Sequence, residues 1–239
     1  MFSYSDIIKY KDTLGIEVAI LLATSCFTVK NRANVIPVLI KEYISNSSIS
    51  DTDADGKTIY SPEIIYLAEK VREAVFTNVY TVGFPLTLVA MKELKAGLDT
   101  QLWMKLSRTR HLPTSTVPME TNQFSESKPY FTENTPRYIS GFDHFSQTYG
   151  HVTDKLLSRI DDFHPDLVYS VIEAEYSDIL SKDHILSHVE KELVTVAAIY
   201  SLDTPDQLFS HVRACKRLGI SQSVIDAAIQ LSNEIKTLP

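Results

Sequence analysis

The sequence predicts an all-helical protein, on three observations. Glycine is scarce, at 7 of 239 residues, while Leu, Ile, Ala and Val are plentiful, a composition that suits helices better than turn-rich sheets. Apolar residues recur at helical spacing in several segments. No stretch shows sustained period-2 alternation, so no sheet is expected.

The first clear helix runs from Gly15 to about Phe27, where Ile16, Val18, Ala19, Ile20, Leu21, Leu22 and Ala23 cover the whole circumference. A helix apolar all round is buried on all sides. A polar turn, Lys30-Asn31-Arg32, leads to a helix near Asn34–Ile44, with Pro37 in its first turn, where a missing N–H does no harm. Residues 45–60 read as an exposed loop. Ser61-Pro62-Glu63 combines an N-cap hydroxyl, a proline at the first helical position and an acid in the first turn, and starts a helix that extends to about Val82. Gly83-Phe84-Pro85 breaks it, and a further helix covers about Leu86–Lys95 with Gly97 as its C-cap. Residues 107–138, with Pro113, Pro118, Pro129 and Pro136 among Ser, Thr, Asn and Glu, read as a linker. Helices resume over Gly141–Ile160 and Leu167–Leu180. Asp183 is placed to cap a short helix leading into Val189–Leu202, and residues 207–217 and 222–236 complete the set. In the last of these, Val224, Ala228, Leu231 and Ile235 form an apolar stripe.

With 44% hydrophobic residues the chain can bury one large core or two small ones. A net charge of −7 gives no general attraction for nucleic acid or anionic lipid. The longest apolar run, Val18–Ala23, is far short of a membrane span. The N-terminus resembles neither a signal nor a transit peptide, and the C-terminal Lys236-Thr237-Leu238-Pro239 is not an SKL-type address. Together with two isolated cysteines, Cys26 and Cys215, this sets an intracellular, cytoplasmic default and leaves mitochondrial and peroxisomal placement open.

One pair is suited to chemistry. Glu192 opens an almost wholly apolar helix, and His211 stands 19 positions later on the next one. In an antiparallel pair turning near Thr204 their axial offset is roughly 7 Å, a gap two long side chains or one water can bridge. A carboxylate beside an imidazole in a partly dry pocket is a competent general acid–base pair, because each tunes the other's proton affinity. The same two residues also suit a purely structural hydrogen bond.

The segment KELVTVAAIYSLDTPDQLFSHVRACKRLGIS (Lys191–Ser221) resembles the signature of the carboxymuconolactone decarboxylase family, within the alkylhydroperoxidase D-like superfamily. Upstream, GIEVAILLATSCF (Gly15–Phe27) is similar to the same apolar helix, with Glu17 in the place of Glu192. NVYTVGFPLTLVAMKEL (Asn78–Leu94) and GFDHFSQTYG (Gly141–Gly150) resemble other parts of such domains. The resemblance implies an alkylhydroperoxidase D-like bundle of two tandem repeats, 1–106 and 139–239, joined by the linker 107–138. It also implies a homo-oligomer, and a cofactor-free and metal-free lyase acting on a small organic acid, with Glu192 and His211 as the catalytic pair. Gly83–Leu94 would then pack over the second repeat and shape one pocket.

Two departures bear on the chemistry. The CxxC of the peroxidase branch falls at Thr204 and Gln207, which form no thiolate, so the antioxidant alternative loses its disulfide relay. In the first repeat the position equivalent to His211 is Ile36, so that repeat reads as structural. A non-catalytic, oligomeric interaction protein on the same fold is a further alternative. Cys215, one turn after His211, and Cys26 are expected in the core. His184 with His188, and His144 with His151, have spacings that can place two imidazoles on one helix face, but neither has an evident third ligand.

Overall fold

A computed structural model of the chain describes residues 2–47, 50–52, 58–107 and 136–239. Their regular secondary structure is helical but for one two-stranded ribbon. They fall into two compact units: the residues up to Ser107 together with Asp183–Pro239, and residues 136–182. Compactness thus divides the chain elsewhere than at the expected repeat boundary, which grouped 139–182 with 183–239. Most of the expected linker lies outside the described residues. Its last part does not: Pro136–Arg137–Tyr138 open a helix, where Pro136 needs no N–H partner.

The first unit begins with α1 (Tyr4–Ile8) and α2 (Lys11–Leu14), turns too short for a periodicity to register. Helix α3 (Ile16–Val29) buries every residue from Ala19 to Thr28. Each fully buried Leu or Ile there contributes roughly 1.5–3 kcal/mol. A 3₁₀ turn (Ala33–Val35) leads into α4 (Ile36–Asn46), which starts with Pro37 in its first turn as expected. Within the expected loop, β1 (Ser50–Thr52) pairs antiparallel with β2 (Thr58–Tyr60). Three-residue strands are shorter than any window in which alternation shows, so the sequence concealed them.

Ser61 caps α5 (Pro62–Thr77) by accepting from the Ile64 N–H. The expected continuous helix to Val82 is interrupted at Asn78, whose side-chain amide donates to Ser25 Oγ at 3.1 Å in the core. The chain then re-forms a turn, α6 (Val79–Val82). Gly83 takes φ +84°, a conformation that stops α6 and is strained for any other residue. Helix α7 (Phe84–Gly97) follows and packs on α4, α5 and the 3₁₀ turn, and α8 (Thr100–Lys105) is capped by Asp99.

In the second unit α9 (Pro136–Tyr149) ends where Gly150 adopts φ +62°, so the expected single helix to Ile160 becomes two, with α10 at Thr153–Phe163. Helix α11 (Pro165–Tyr169) passes into a π-helical stretch, Ser170–Leu180, where one α-helix was expected. Phe145, Ile172, Tyr176 and Leu180 form this unit's core. Gly141 lets α9 approach the Ile172 carbonyl. Arg137 pairs with Asp178 and lies 3.6 Å from Glu173.

The chain returns to the first unit through α12 (His188–Leu202), α13 (Pro205–Arg217) and α14 (Gln222–Lys236). Ser187 caps α12 and forms a capping box with Glu190, and the short helix expected after Asp183 is a bend instead. Lys70 joins Glu17 at the start of α3 to Glu190 at the start of α12. Further along, the Cys26 thiol donates to the Ala197 carbonyl at 3.8 Å. The two apolar helices therefore run side by side in the same sense and form the centre of the unit. On α14, Ala228, Leu231 and Ile235 are fully buried, and Val224 is half-buried at the end of the same stripe.

Candidate functional site

Helix α12 is buried without interruption from Lys191 to Ile199. Its orientation is set at its first turn, where the Glu190 carboxylate accepts from the Ser187 N–H at 2.8 Å and from Lys70 Nζ at 2.8 Å. Glu192, two residues on, then faces α13. The turn between the helices is made by Asp203 in the left-handed conformation and held by Lys236, whose ammonium lies 2.8 Å from the Asp203 carboxylate. Pro205 follows in the first turn of α13.

This frame brings His211 Nδ1 to 2.7 Å from Glu192 Oε1. Both residues are only 5% exposed. The axial offset expected from residue counting is closed by the side chains themselves, with no bridging group between them. With the carboxylate ionised, the imidazole Nδ1–H donates to it. A buried carboxylate–imidazole contact of this length fixes both the tautomer and the ring plane.

The neighbours of the pair are also defined. Cys215, one turn after His211, is fully buried, and burial with the nearby Glu192 charge pushes its thiol up to about 12. Cys26 is fully buried, and burial raises its thiol as well. Neither is a thiolate at neutral pH, and both are unpaired. Thr204 and Gln207, at the positions of the missing CxxC, lie at the start of α13, where Gln207 is exposed. Arg213 is exposed, with its guanidinium 5.5 Å from the Phe209 ring, and so turns away from the pair. Burial, and then the neighbouring Arg213, lower the Arg217 pKa, while the Glu192 charge opposes both.

One residue of the site escaped the sequence reading. His188 is the first residue of α12, four before Glu192, and its ring feels the Glu192 charge. The i,i+4 spacing was the available signal, but His188 was weighed against His184 instead. His184 lies in the bend before α12, so the two histidines share no helix face. His144 and His151 are likewise separated by the break at Gly150. Among the described residues no three His, Cys, Asp or Glu side chains are grouped to hold a metal ion. The short α6, just before Gly83, packs on α12, while α7 lies mainly against α4, α5 and the 3₁₀ turn. In the first apolar helix Glu17 meets Lys70 at 3.6 Å, and Ile36 is a fully buried residue at the start of α4.

Fold and site together describe an all-helical protein with a buried carboxylate–imidazole pair between consecutive helices. The chain is similar to Peroxisomal protein 2 of Schizosaccharomyces pombe, 25% identical over 166 residues that cover 70% of this chain and 68% of the relative. It is similar also to Peroxisomal protein 2 of Saccharomyces cerevisiae, 26% identical over 165 residues, covering 67% of this chain and 58% of that protein. The match thus spans less than two thirds of the Saccharomyces relative. No family model matches the chain. No solved structure matches it.

Proposed function

We propose that the chain is a carboxymuconolactone decarboxylase-like protein in which Glu192 and His211 perform cofactor-free acid–base chemistry on a small organic acid. The observation that carries this is the 2.7 Å contact between two buried side chains, Glu192 Oε1 and His211 Nδ1. Glu192 holds the imidazole in one tautomer and balances its positive charge when it takes a proton, and Nε2 is the atom that moves the proton. The motif around Lys191–Ser221 supports the family likeness, and the two tandem repeats belong to the same proposal. The thiol-dependent antioxidant alternative is disfavoured, because burial holds Cys26 and Cys215 in the neutral form.

The compartment proposed is the peroxisome, on the printed names of both relatives. A homo-oligomer is part of the same reading. Phe84 and Leu88, one turn apart on α7, are 61% and 65% exposed and supply apolar surface for it.

The test is a thermal-shift screen of small organic acids against the wild-type chain and His211→Ala, followed by turnover assays on each hit. An acid that stabilises and is consumed by the wild type, and is not consumed by the variant, is expected. Turnover undiminished in His211→Ala would overturn the assignment. Co-localisation with a peroxisomal marker tests the compartment, and light scattering tests the oligomer.

A further inference from the structure

We infer that Tyr66 and Lys70 of α5 are positioning residues for the Glu192–His211 pair, which act by clamping the start of α12. The inference rests on the acid–base role proposed above for the pair.

Glu192 is the fifth residue of α12 and so stands just past its first turn. The N–H groups of a first turn have no partners inside the helix, so the turn keeps its shape only where other groups hold it. Here α5 does so on both sides of the cap residue Ser187. Before the cap, the Tyr66 hydroxyl donates to the Ile185 carbonyl at 3.0 Å. After it, Lys70 Nζ donates to Glu190 Oε1 at 2.8 Å. The other oxygen, Glu190 Oε2, accepts from the Ser187 N–H and hydroxyl, each at 2.8 Å. One carboxylate thus closes the cap and ties it to α5.

The two members of the clamp brace each other. They lie one turn apart on α5, with the Lys70 ammonium 4.9 Å from the centre of the Tyr66 ring. Lys70 also lies 3.6 Å from Glu17 at the start of α3, so the clamp is anchored on a second helix. Between the two contacts the Ile185 and Leu186 side chains are buried, which leaves that segment little room to move.

The consequence falls on the pair. A hydrogen bond of 2.7 Å between two buried side chains tolerates little displacement. Helix ends are the first part of a helix to open. If the first turn of α12 opens, Glu192 loses the fixed backbone from which its carboxylate reaches across to α13. A misplacement of about 1 Å in a reacting group can cost about 100-fold in rate. The clamp therefore governs the geometry of the pair from outside it.

The experiment reads that geometry and needs no substrate. With ¹⁵N-labelled histidine in the full chain, NMR follows the His211 Nδ1 proton in the wild type, Tyr66→Phe, Lys70→Met, Lys70→Arg and Asp99→Ala. Asp99→Ala deletes the cap of α8 and is the control for stability lost elsewhere in the same unit. In Tyr66→Phe and Lys70→Met the proton should move upfield and exchange with water about tenfold faster or more, the effect of losing one hydrogen bond. Lys70→Arg, which keeps a cationic donor for Glu190, should retain the wild-type signal, and so should Asp99→Ala. An unchanged signal in either Tyr66→Phe or Lys70→Met would overturn the clamp. So would a Lys70→Arg signal that matches Lys70→Met, or the same displacement in Asp99→Ala, because lost stability alone would then account for it. Should Lys70→Met not fold, Tyr66→Phe and Lys70→Arg carry the same decision. Failure of the acid screen with His211→Ala would remove the catalytic reading while leaving the NMR result as it stands, so the two failures are distinguishable.

Discussion

Lys70 Nζ lies 2.8 Å from Glu190 Oε1, and so fastens α5 to the capped first turn of the helix that carries Glu192. Burial opposes the charge on Lys70, but its contacts with Glu190 and Glu17 outweigh this and raise its pKa above 10.5. Burial likewise opposes the Glu190 charge, but Lys70 and Ser187 outweigh it and hold the carboxyl below 4.5. The side chains are 12% and 14% exposed, so the pair is only weakly screened. Lys70→Met should therefore lower the unfolding free energy by about 2 kcal/mol near neutral pH, measured by urea denaturation.

The same pair gives a pH dependence of known sign. A carboxyl whose folded pKa is depressed stabilises above its unfolded value, 4.5 for Glu190, and that stability is lost as pH falls through the lower folded value. An ammonium whose folded pKa is raised stabilises fully below its unfolded value, 10.5 for Lys70, and that stability is lost as pH rises through the higher folded value. The stability gap between the wild type and Lys70→Met should be flat between these limits and shrink beyond each. A gap that stays constant into the acid range would show that the ion pair is not its source.

What the sequence made legible was set by how strongly burial selects residues. Helices α3 and α12 are apolar on all faces because they pack together at the centre of the unit, so no other structure fits their composition. The Ser61 cap and the Ala228–Leu231–Ile235 stripe were legible because capping and one-sided burial each demand particular residues at particular spacings. The ribbon, the interruption at Asn78 and the π-helical stretch were not, since each depends on backbone geometry that many sequences tolerate. Glu192 and His211 were paired by counting residues across a helix turn, but counting fixes an axial offset, not a contact. Their 2.7 Å approach depends on both side chains leaning across the α12–α13 interface. The sequence placed this helix start at Val189, one residue after His188, so the spacing of His188 to Glu192 went unweighed.

The Glu192–His211 contact should appear in a double-mutant cycle. Removing either side chain leaves a buried polar partner without its hydrogen bond, a loss of about 1–3 kcal/mol. Glu192→Ala, His211→Ala and the double variant should thus show a coupling energy of about 1–3 kcal/mol in chemical denaturation. Additive effects would mean that the two side chains do not depend on each other in solution.

The cysteines should be silent toward thiol reagents in the folded chain. Both side chains are fully buried, and burial keeps Cys215 protonated up to about 12. Ellman's reagent at mildly alkaline pH should react with neither thiol in the native protein and with both after unfolding in guanidinium. A stoichiometric native reaction within seconds would reopen thiol chemistry at the site.

Gly141 is the position where a single methyl group should cost most in the second unit. A Cβ there would sit inside the contact distance of the Ile172 carbonyl oxygen, and would also press on the Ile172 carbonyl carbon and side chain. The obstructing atoms are backbone in the middle of a helical stretch, so they have no rotamer through which to move aside. Helix α9 and the Ser170–Leu180 stretch must then separate, which loosens the packing of Phe145, Ile172 and Tyr176. Gly141→Ala should destabilise this unit by roughly 2–3 kcal/mol, although alanine is the better helix former by about 1 kcal/mol. Hydrogen exchange resolved by segment is the measurement, with faster exchange expected across 136–149 and 170–180. Unaltered or stronger protection there would mean that the two segments do not approach as closely as the fold places them.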